Sequence, residues 1–389
     1  MENFVYHSPT KVYFGKGMIS KLGKTAASYG KSALIVYGGG SIKKNGVYDA
    51  IVSQLESASV AHFDLSGVEA NPKISSVREG VKLVRENNIE VIIGVGGGSS
   101  LDCAKAISGC ATVDAEPWDT VMNAGTVKKV IPFIAIPTLS ATGSELDAIC
   151  VISNPDIPLK KPMANQLLRP AVAIMDPEYT NSVNAYQTGA GTADIFSHTL
   201  EAYFSTEKTG YLPNALCEAV LKTCIKYGRK AIDEPDDYEA RSNLMWAASL
   251  AINGILKCGK VQHVYGCHAM EHVLSAYYDV THGAGLAVIT PFWMDYVLSD
   301  ATVDKFAEYG INVFGIEPAA DKYETAKKAI AQTRAWLEEL EMPKTLTELG
   351  ITEDIHFADM AKDAEEAGTP LAYVPLKADD IIKIYNNAK

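Results

Sequence analysis

From Lys31 to about Asp176, short β-branched apolar runs alternate with stretches whose apolar residues recur at helical spacing. The runs are ALIVY at 33–37, EVIIG at 90–94, PFIAIP at 132–137, AICVIS at 148–153 and VAIM at 172–175. Between them, SSVREGVKLVRENN (75–88) and SLDCAKAISGC (100–110) carry the helical pattern. Such alternation predicts βαβ units, a parallel sheet with helices on its faces. After DPEYT at 176–180 the strand signal stops. NALCEAVLKTCIKYGRKAI (214–232), YEARSNLMWAASLAINGIL (238–256) and YETAKKAIAQTRAWLEEL (323–340) then predict an all-helical second half. The expected division is an α/β domain over 1–182 and an all-helical domain over 183–389. No repeat or low-complexity linker separates the halves, so close packing with a cleft between them is expected.

Composition narrows the classes. A chain of 389 residues, 47% hydrophobic, can build two cores. Its 35 basic and 47 acidic residues give a net charge of -12 with no basic run, which argues against nucleic acid or an anionic membrane as partner. Seven cysteines (Cys103, Cys110, Cys150, Cys217, Cys224, Cys258 and Cys267), odd in number and without framework spacing, fit reduced thiols. MENFVYHSPT has neither the basic start nor the apolar core of a signal peptide, and no apolar run approaches the roughly 18 residues of a membrane span. A cytoplasmic protein is expected.

Two polar loops follow predicted strands. EVIIGVGGGSSLDCAKA runs strand, turn, helix, with Gly96, Gly97, Gly98 and Ser99 at the junction. Glycines there let the backbone approach a pyrophosphate, and free N–H groups at the helix start donate to its oxygens. A tight strand-to-helix turn is the plainer alternative. IPTLSATGSELDA places Thr138, Ser140, Thr142, Gly143 and Ser144 after the PFIAI strand, either as a second ligand loop or as a helix N-cap run. The first strand ends in Gly38, Gly39, Gly40 and Ser41, then Lys43 and Lys44, with no carboxylate. An acidic side chain at such a position grips the ribose of NAD; small groups and lysines accept a 2′-phosphate, so NADP(H) is favoured.

Five of the eight histidines fall between Asp194 and His282. Asp194 and His198 are four residues apart, as are His268 and His272, and pairs so spaced share a helix face. His282 precedes Gly283 in what reads as a turn into another helix. One Asp with two or three His suits a first-row ion, iron(II) or zinc, better than calcium or magnesium. Each pair alone is more often a surface ion pair or a satisfied histidine. Together they would bury several imidazoles without purpose unless a metal is bound.

GGGSSLD, PTLSATGSE, the D-x-x-x-H at Asp194 and the H-x-x-x-H-x9-H-G from His268 together resemble the iron-containing (group III) alcohol dehydrogenases over most of the chain. YGGGSIKKNG resembles their NADPH-dependent butanol dehydrogenase and aldehyde reductase branch. The resemblance implies a Rossmann-like nucleotide-binding domain followed by a helical domain, as in dehydroquinate synthase. It implies a homodimer, and metal ligands at Asp194, His198, His268 and His282. It puts His272 near the nicotinamide, with His272 and Asp102 as catalytic residues. Cofactor contacts fall on Gly39, Gly40, Ser41, Gly97, Gly98, Ser99, Asp102, Thr138, Thr142, Asp147, Lys160 and Tyr179. Asp147 stands where related members often carry Asn. The implied activity is hydride transfer between NADP(H) and a short-to-medium-chain aldehyde or alcohol. Alternatives are a zinc- and NAD-dependent glycerol-type dehydrogenase or related lyase, and a non-catalytic redox sensor with Cys267 beside the metal.

Overall fold

The computed structural model describes residues 1–157, 159–206 and 210–389. Among these the strands are β1 (Lys11–Phe14), β2 (Ser32–Tyr37), β3 (Ala61–Leu65), β4 (Val91–Gly96), β5 (Phe133–Pro137), β6 (Ile149–Asn154), β7 (Leu159–Ala164) and β8 (Val172–Met175). Six of them form one sheet in the order β1-β8-β5-β4-β2-β3, every neighbouring pair parallel. The period of two along each strand divides the core between two faces. Leu34, Val36 and Ile92 pack with Val77, Val81 and Ile107 on one face. Ala33, Ile35, Val91 and Ile93 pack with Leu22, Ile51 and Leu55 on the other. Because β2 has β3 on one side and β4 on the other, the sheet reverses its building direction between β2 and β4. Ligands of open α/β sheets collect at the carboxyl ends of the strands at that point.

AICVIS is not part of this sheet. As β6 it pairs antiparallel with β7 in a separate two-stranded sheet, Ile149 opposite Ala164 and Asn154 opposite Leu159. A short continuous apolar run cannot by itself distinguish a parallel core strand from a hairpin strand packed beneath a helix. No helix begins at Thr142 or Ser144; the segment is a turn in which the Ser144 N–H donates to Thr142 Oγ1 at 3.2 Å.

The chain forms two compact units, one of residues 7–183 with 235–253, the other of 1–6, 184–234 and 254–389. The helix Tyr238–Ile252 therefore packs with the sheet, although its periodicity places it in the helical half. Met245 joins Leu146, Ala173 and Met175 in a small core, and Ser249 donates to Glu145 at 2.5 Å. Gly143, at φ +66°, permits the approach, since a Cβ there would lie 2.4 Å from the Ala248 carbonyl oxygen. The other unit is helical and is cored by an aromatic cluster, Phe204 lying 4.6 Å from Phe306 and 5.7 Å from Trp293 between ring centroids. No helix among the described residues is long and apolar enough to cross a membrane.

Candidate metal centre and nucleotide loops

Three helices of the helical unit build the candidate metal centre. Ala185–Tyr203, capped by Asn184 whose side chain accepts from Gln187 N–H, presents Asp194, His198 and Glu201 at i, i+4 and i+7 on one face. Gly266–Tyr278 presents His268, Glu271 and His272, and stops at Asp279 in a left-handed conformation, φ 51°. The chain then turns into His282–Val297, with His282 as its first residue. Gly283 lets this helix meet the first one: a Cβ at that position would fall 1.9 Å from the Ala190 carbonyl oxygen.

The result is a convergence on one carboxylate oxygen. Asp194 Oδ1 lies 3.2 Å from His198 Nδ1 and 3.7 Å from both His268 Nε2 and His282 Nε2. Asp194, His198 and His268 are buried, yet Asp194 Oδ1, His198 Nδ1 and His268 Nε2 have no hydrogen-bond partner. Each buried polar atom left unpaired costs about 1–3 kcal/mol. Asp194, His268 and His282 each offer a donor atom within 4.8 Å of the others, and a carboxylate with imidazoles is a donor set that suits a first-row ion; His198 stands beside this group through its contact with Asp194. The electrostatics agree. Burial alone would raise the Asp194 carboxyl, but the imidazoles of His198, His268 and His282 hold it down at about 2. Burial pushes His198 down to about 3, leaving a neutral ring. Burial also opposes charge on His268, but the carboxylates of Asp194 and Glu201 outweigh it and raise the ring to about 9 without a metal.

Two buried glutamates outside the expected ligand set orient the imidazoles. Glu201 Oε1 accepts from His268 Nδ1 at 2.5 Å and from its backbone N–H at 3.1 Å, while Oε2 accepts the Cys267 N–H at 2.9 Å. Held at Nδ1 by Glu201, a neutral His268 would offer its Nε2 lone pair to an ion beside Asp194. Glu271, fully buried, accepts from His282 Nδ1 and from the Ser275 hydroxyl. Extending the helical spacing would have found both, since Glu201 is seven residues after Asp194 and Glu271 three after His268. His272 stands at the half-buried edge, its ring 5.2 Å from that of His282 and 6.2 Å from that of His268.

In the sheet unit the glycine turns lie at the carboxyl ends of β2, β4 and β5. Gly97 caps the helix Gly98–Cys110 without a side-chain cap, leaving N–H groups of the first turn for a ligand. Gly98 and Thr142 bring the two loops together, for a Cβ on Gly98 would be 2.5 Å from Thr142 Cγ2. Thr138 N–H donates to the Gly96 carbonyl at 2.9 Å. Gly39 is different. Its φ is not left-handed, and nothing stands within 4 Å of a Cβ built on it. Neither backbone nor internal packing accounts for the glycine, and the space above the turn, which leads through Gly40 to Ser41, is open to a ligand.

Asp102 and Asp147, expected against the cofactor, make internal contacts. Asp102 accepts from the Ser144 hydroxyl at 2.6 Å and the Val151 N–H at 2.9 Å. Asp147 pairs with the fully buried Lys105, whose ammonium also donates to the Ser144 carbonyl and hydroxyl, both at 2.8 Å, and to the Ile149 carbonyl at 2.7 Å. This knot ties the helix behind Ser99 to the Thr138–Asp147 loop and to β6. Burial raises Asp102 to about 6 and moves Asp147 upward too. Lys160 lies on β7 opposite Ser153. Tyr179 packs on the same core face as Tyr37, and its hydroxyl is raised to about 12 by burial and by Asp176 and Glu178.

A sheet unit with glycine turns at its strand ends and a helical unit with an aspartate among histidines are the parts expected of a metal-dependent dehydrogenase. Comparison with known proteins agrees. Residues 9–177 match the iron-containing alcohol dehydrogenase family and residues 188–389 its C-terminal region. NADH-dependent butanol dehydrogenase A of Clostridium acetobutylicum is 48% identical, covering 100% of both chains. The NADPH-dependent aldehyde reductase YqhD of Escherichia coli is 36% identical, covering 90% of each. Among solved structures, NADH-dependent butanol dehydrogenase A of Thermotoga maritima superposes with a TM-score of 0.93 at 35% identity, covering 100% of this chain and 99% of that one. The substrate- and cofactor-free form of the E. coli reductase gives 0.89 at 32%, covering 100% of both. The chain belongs to the iron-containing alcohol dehydrogenase family, as a metal-dependent alcohol dehydrogenase or aldehyde reductase.

Proposed function

We propose that the protein interconverts short-to-medium-chain aldehydes and primary alcohols, butanal and butanol among them, with NADP(H) and iron(II). The observation that carries this reading is the convergence of three partnerless, buried donor atoms on the Asp194 site. Asp194, His198, His268 and His282 would hold the ion, which when bound supplies Lewis acidity to a carbonyl or alcohol oxygen. The reduced nicotinamide supplies the hydride. Glu201 and Glu271 keep the imidazoles of His268 and His282 in the ligating tautomer. His272, whose ring lies 5.2 Å from that of His282, would pass a proton through a ring nitrogen. Gly97, Gly98, Ser99, Thr138 and Thr142 bind the pyrophosphate region, and Gly39, Gly40 and Ser41 the adenosine ribose and its 2′-phosphate. The Lys105 knot gives Asp102 and Asp147 a positioning role.

The preference for NADP(H) rests on this chain's own carboxylate-free first turn, against four butanol dehydrogenase relatives whose names specify NADH. Zinc is the alternative ion. Seven free cysteines accord with a reducing compartment, and we place the protein in the cytoplasm as a homodimer, which light scattering on the purified chain tests. The central experiment follows oxidation of NADPH and NADH with butanal on metal-stripped protein, reconstituted separately with iron(II) and zinc. Recovery with iron(II) and a higher kcat/KM for NADPH is expected. Faster turnover with NADH would overturn the nucleotide assignment, and no turnover with either metal would overturn the reductase reading.

A further inference from the structure

Beside the open turn at Gly39 the sheet unit carries a cluster that the dehydrogenase reading does not use. Asp64, on β3 opposite Ile35 of β2, accepts the Tyr37 hydroxyl at 2.9 Å and the Tyr48 hydroxyl at 2.7 Å on the same oxygen, Oδ2. The Lys43 ammonium lies 3.7 Å from that oxygen. It also stands over both rings, 4.4 Å from the Tyr48 centroid and 5.2 Å from that of Tyr37. Tyr37 is the last residue of β2, immediately before Gly38, and the Lys43 N–H donates to the Gly40 carbonyl at 3.1 Å. The cluster is thus joined to both ends of the glycine turn.

We propose that Tyr37, Tyr48 and Asp64 form a seat that holds Lys43 at the adenosine-ribose end of the nucleotide site, making Lys43 the residue that selects a 2′-phosphate. The inference rests on the NADP(H) reading and names its selective device. Two effects act with the same sign. An acid on a strand beside the glycine turn is the kind of group that grips a ribose diol and repels a 2′-phosphate, but Asp64 already serves two hydroxyls and an ammonium. A free surface lysine loses much rotamer entropy on fixing a phosphate; two aromatic faces and a carboxylate restrict this one beforehand.

Fluorescence titration with NADPH and NADH, and competition by 2′,5′-ADP and 5′-AMP, test the seat without turnover. Wild type is expected to bind NADPH and 2′,5′-ADP the more tightly. Lys43→Met should weaken those two roughly tenfold while leaving NADH and 5′-AMP within about twofold. Tyr48→Phe and Asp64→Asn should move the same ratio in the same direction by about threefold, through a looser lysine. An unchanged ratio, or equal loss for both nucleotides, overturns the seat while the NADP(H) reading stands. Selective loss of NADH in Asp64→Asn also overturns it, by making Asp64 a ribose ligand. A wild type that binds NADH more tightly overturns the NADP(H) reading itself.

Discussion

Glu201 reaches the metal centre only through other residues, and its side chain serves both the His268 ring and the backbone at Cys267 and His268. Glu201→Gln keeps the shape but removes the charge that fixes the Nδ1 proton. Metal affinity should fall about 10- to 100-fold, read by chelator competition. Lys105 presents a stability question. Lys105→Met strands Asp147 as a buried, unpaired carboxylate, and a loss of about 3–5 kcal/mol is expected in urea denaturation. Asp102 gives the same knot a pH dependence. Its folded pKa, about 6, exceeds the ordinary 3.8 because burial disfavours the ionised form. Its stabilising contribution is therefore complete below about pH 4 and lost as pH rises through about 6. Asp102→Asn should remove that part of the decline, checked by urea midpoints across this range.

At the level of elements, the meeting of two helices at Gly283 decides whether His282 reaches Asp194. A methyl group there would overlap the Ala190 carbonyl, and the contact is backbone to backbone, so no side chain can yield. Gly283→Ala should cost about 1–3 kcal/mol or more as overpacking and should weaken metal binding as well, measured by thermal unfolding and by metal content. What could be read in advance follows from similar physics. β2, β4, β5 and β8 are legible because both faces are buried and the apolar run is continuous. β1 and β3 are edge strands with mixed exposure, and AHFDL carries no such run. The Asp194 and His268 spacings point to the candidate metal centre because several histidines on buried helices need partners. Glu201 and Glu271 stay hidden because a helical glutamate ordinarily reads as a solvated face.

In the whole molecule the two candidate sites occupy different units: Asp194 and its histidines lie in the helical one and the glycine turns in the sheet one. Stripping the metal should lower the melting temperature, since an ion at a hundredfold its Kd stabilises the folded state by about 2.7 kcal/mol. NADPH affinity should meanwhile stay within about threefold in fluorescence titration, because the nucleotide loops contain no metal ligand. Cooperative loss of both would mean that the units melt as one.

The helix Tyr238–Ile252 also sets a timetable. The loop bearing Thr138 and Thr142 leans on Ala248 and Ser249, which leave the ribosome about a hundred residues after it. The nascent sheet must wait, with Leu146 and Met175 uncovered, while the whole 184–234 segment is made. A chain halted at residue 183 would be an unfinished domain, open to chaperones and proteases until its last helix arrives.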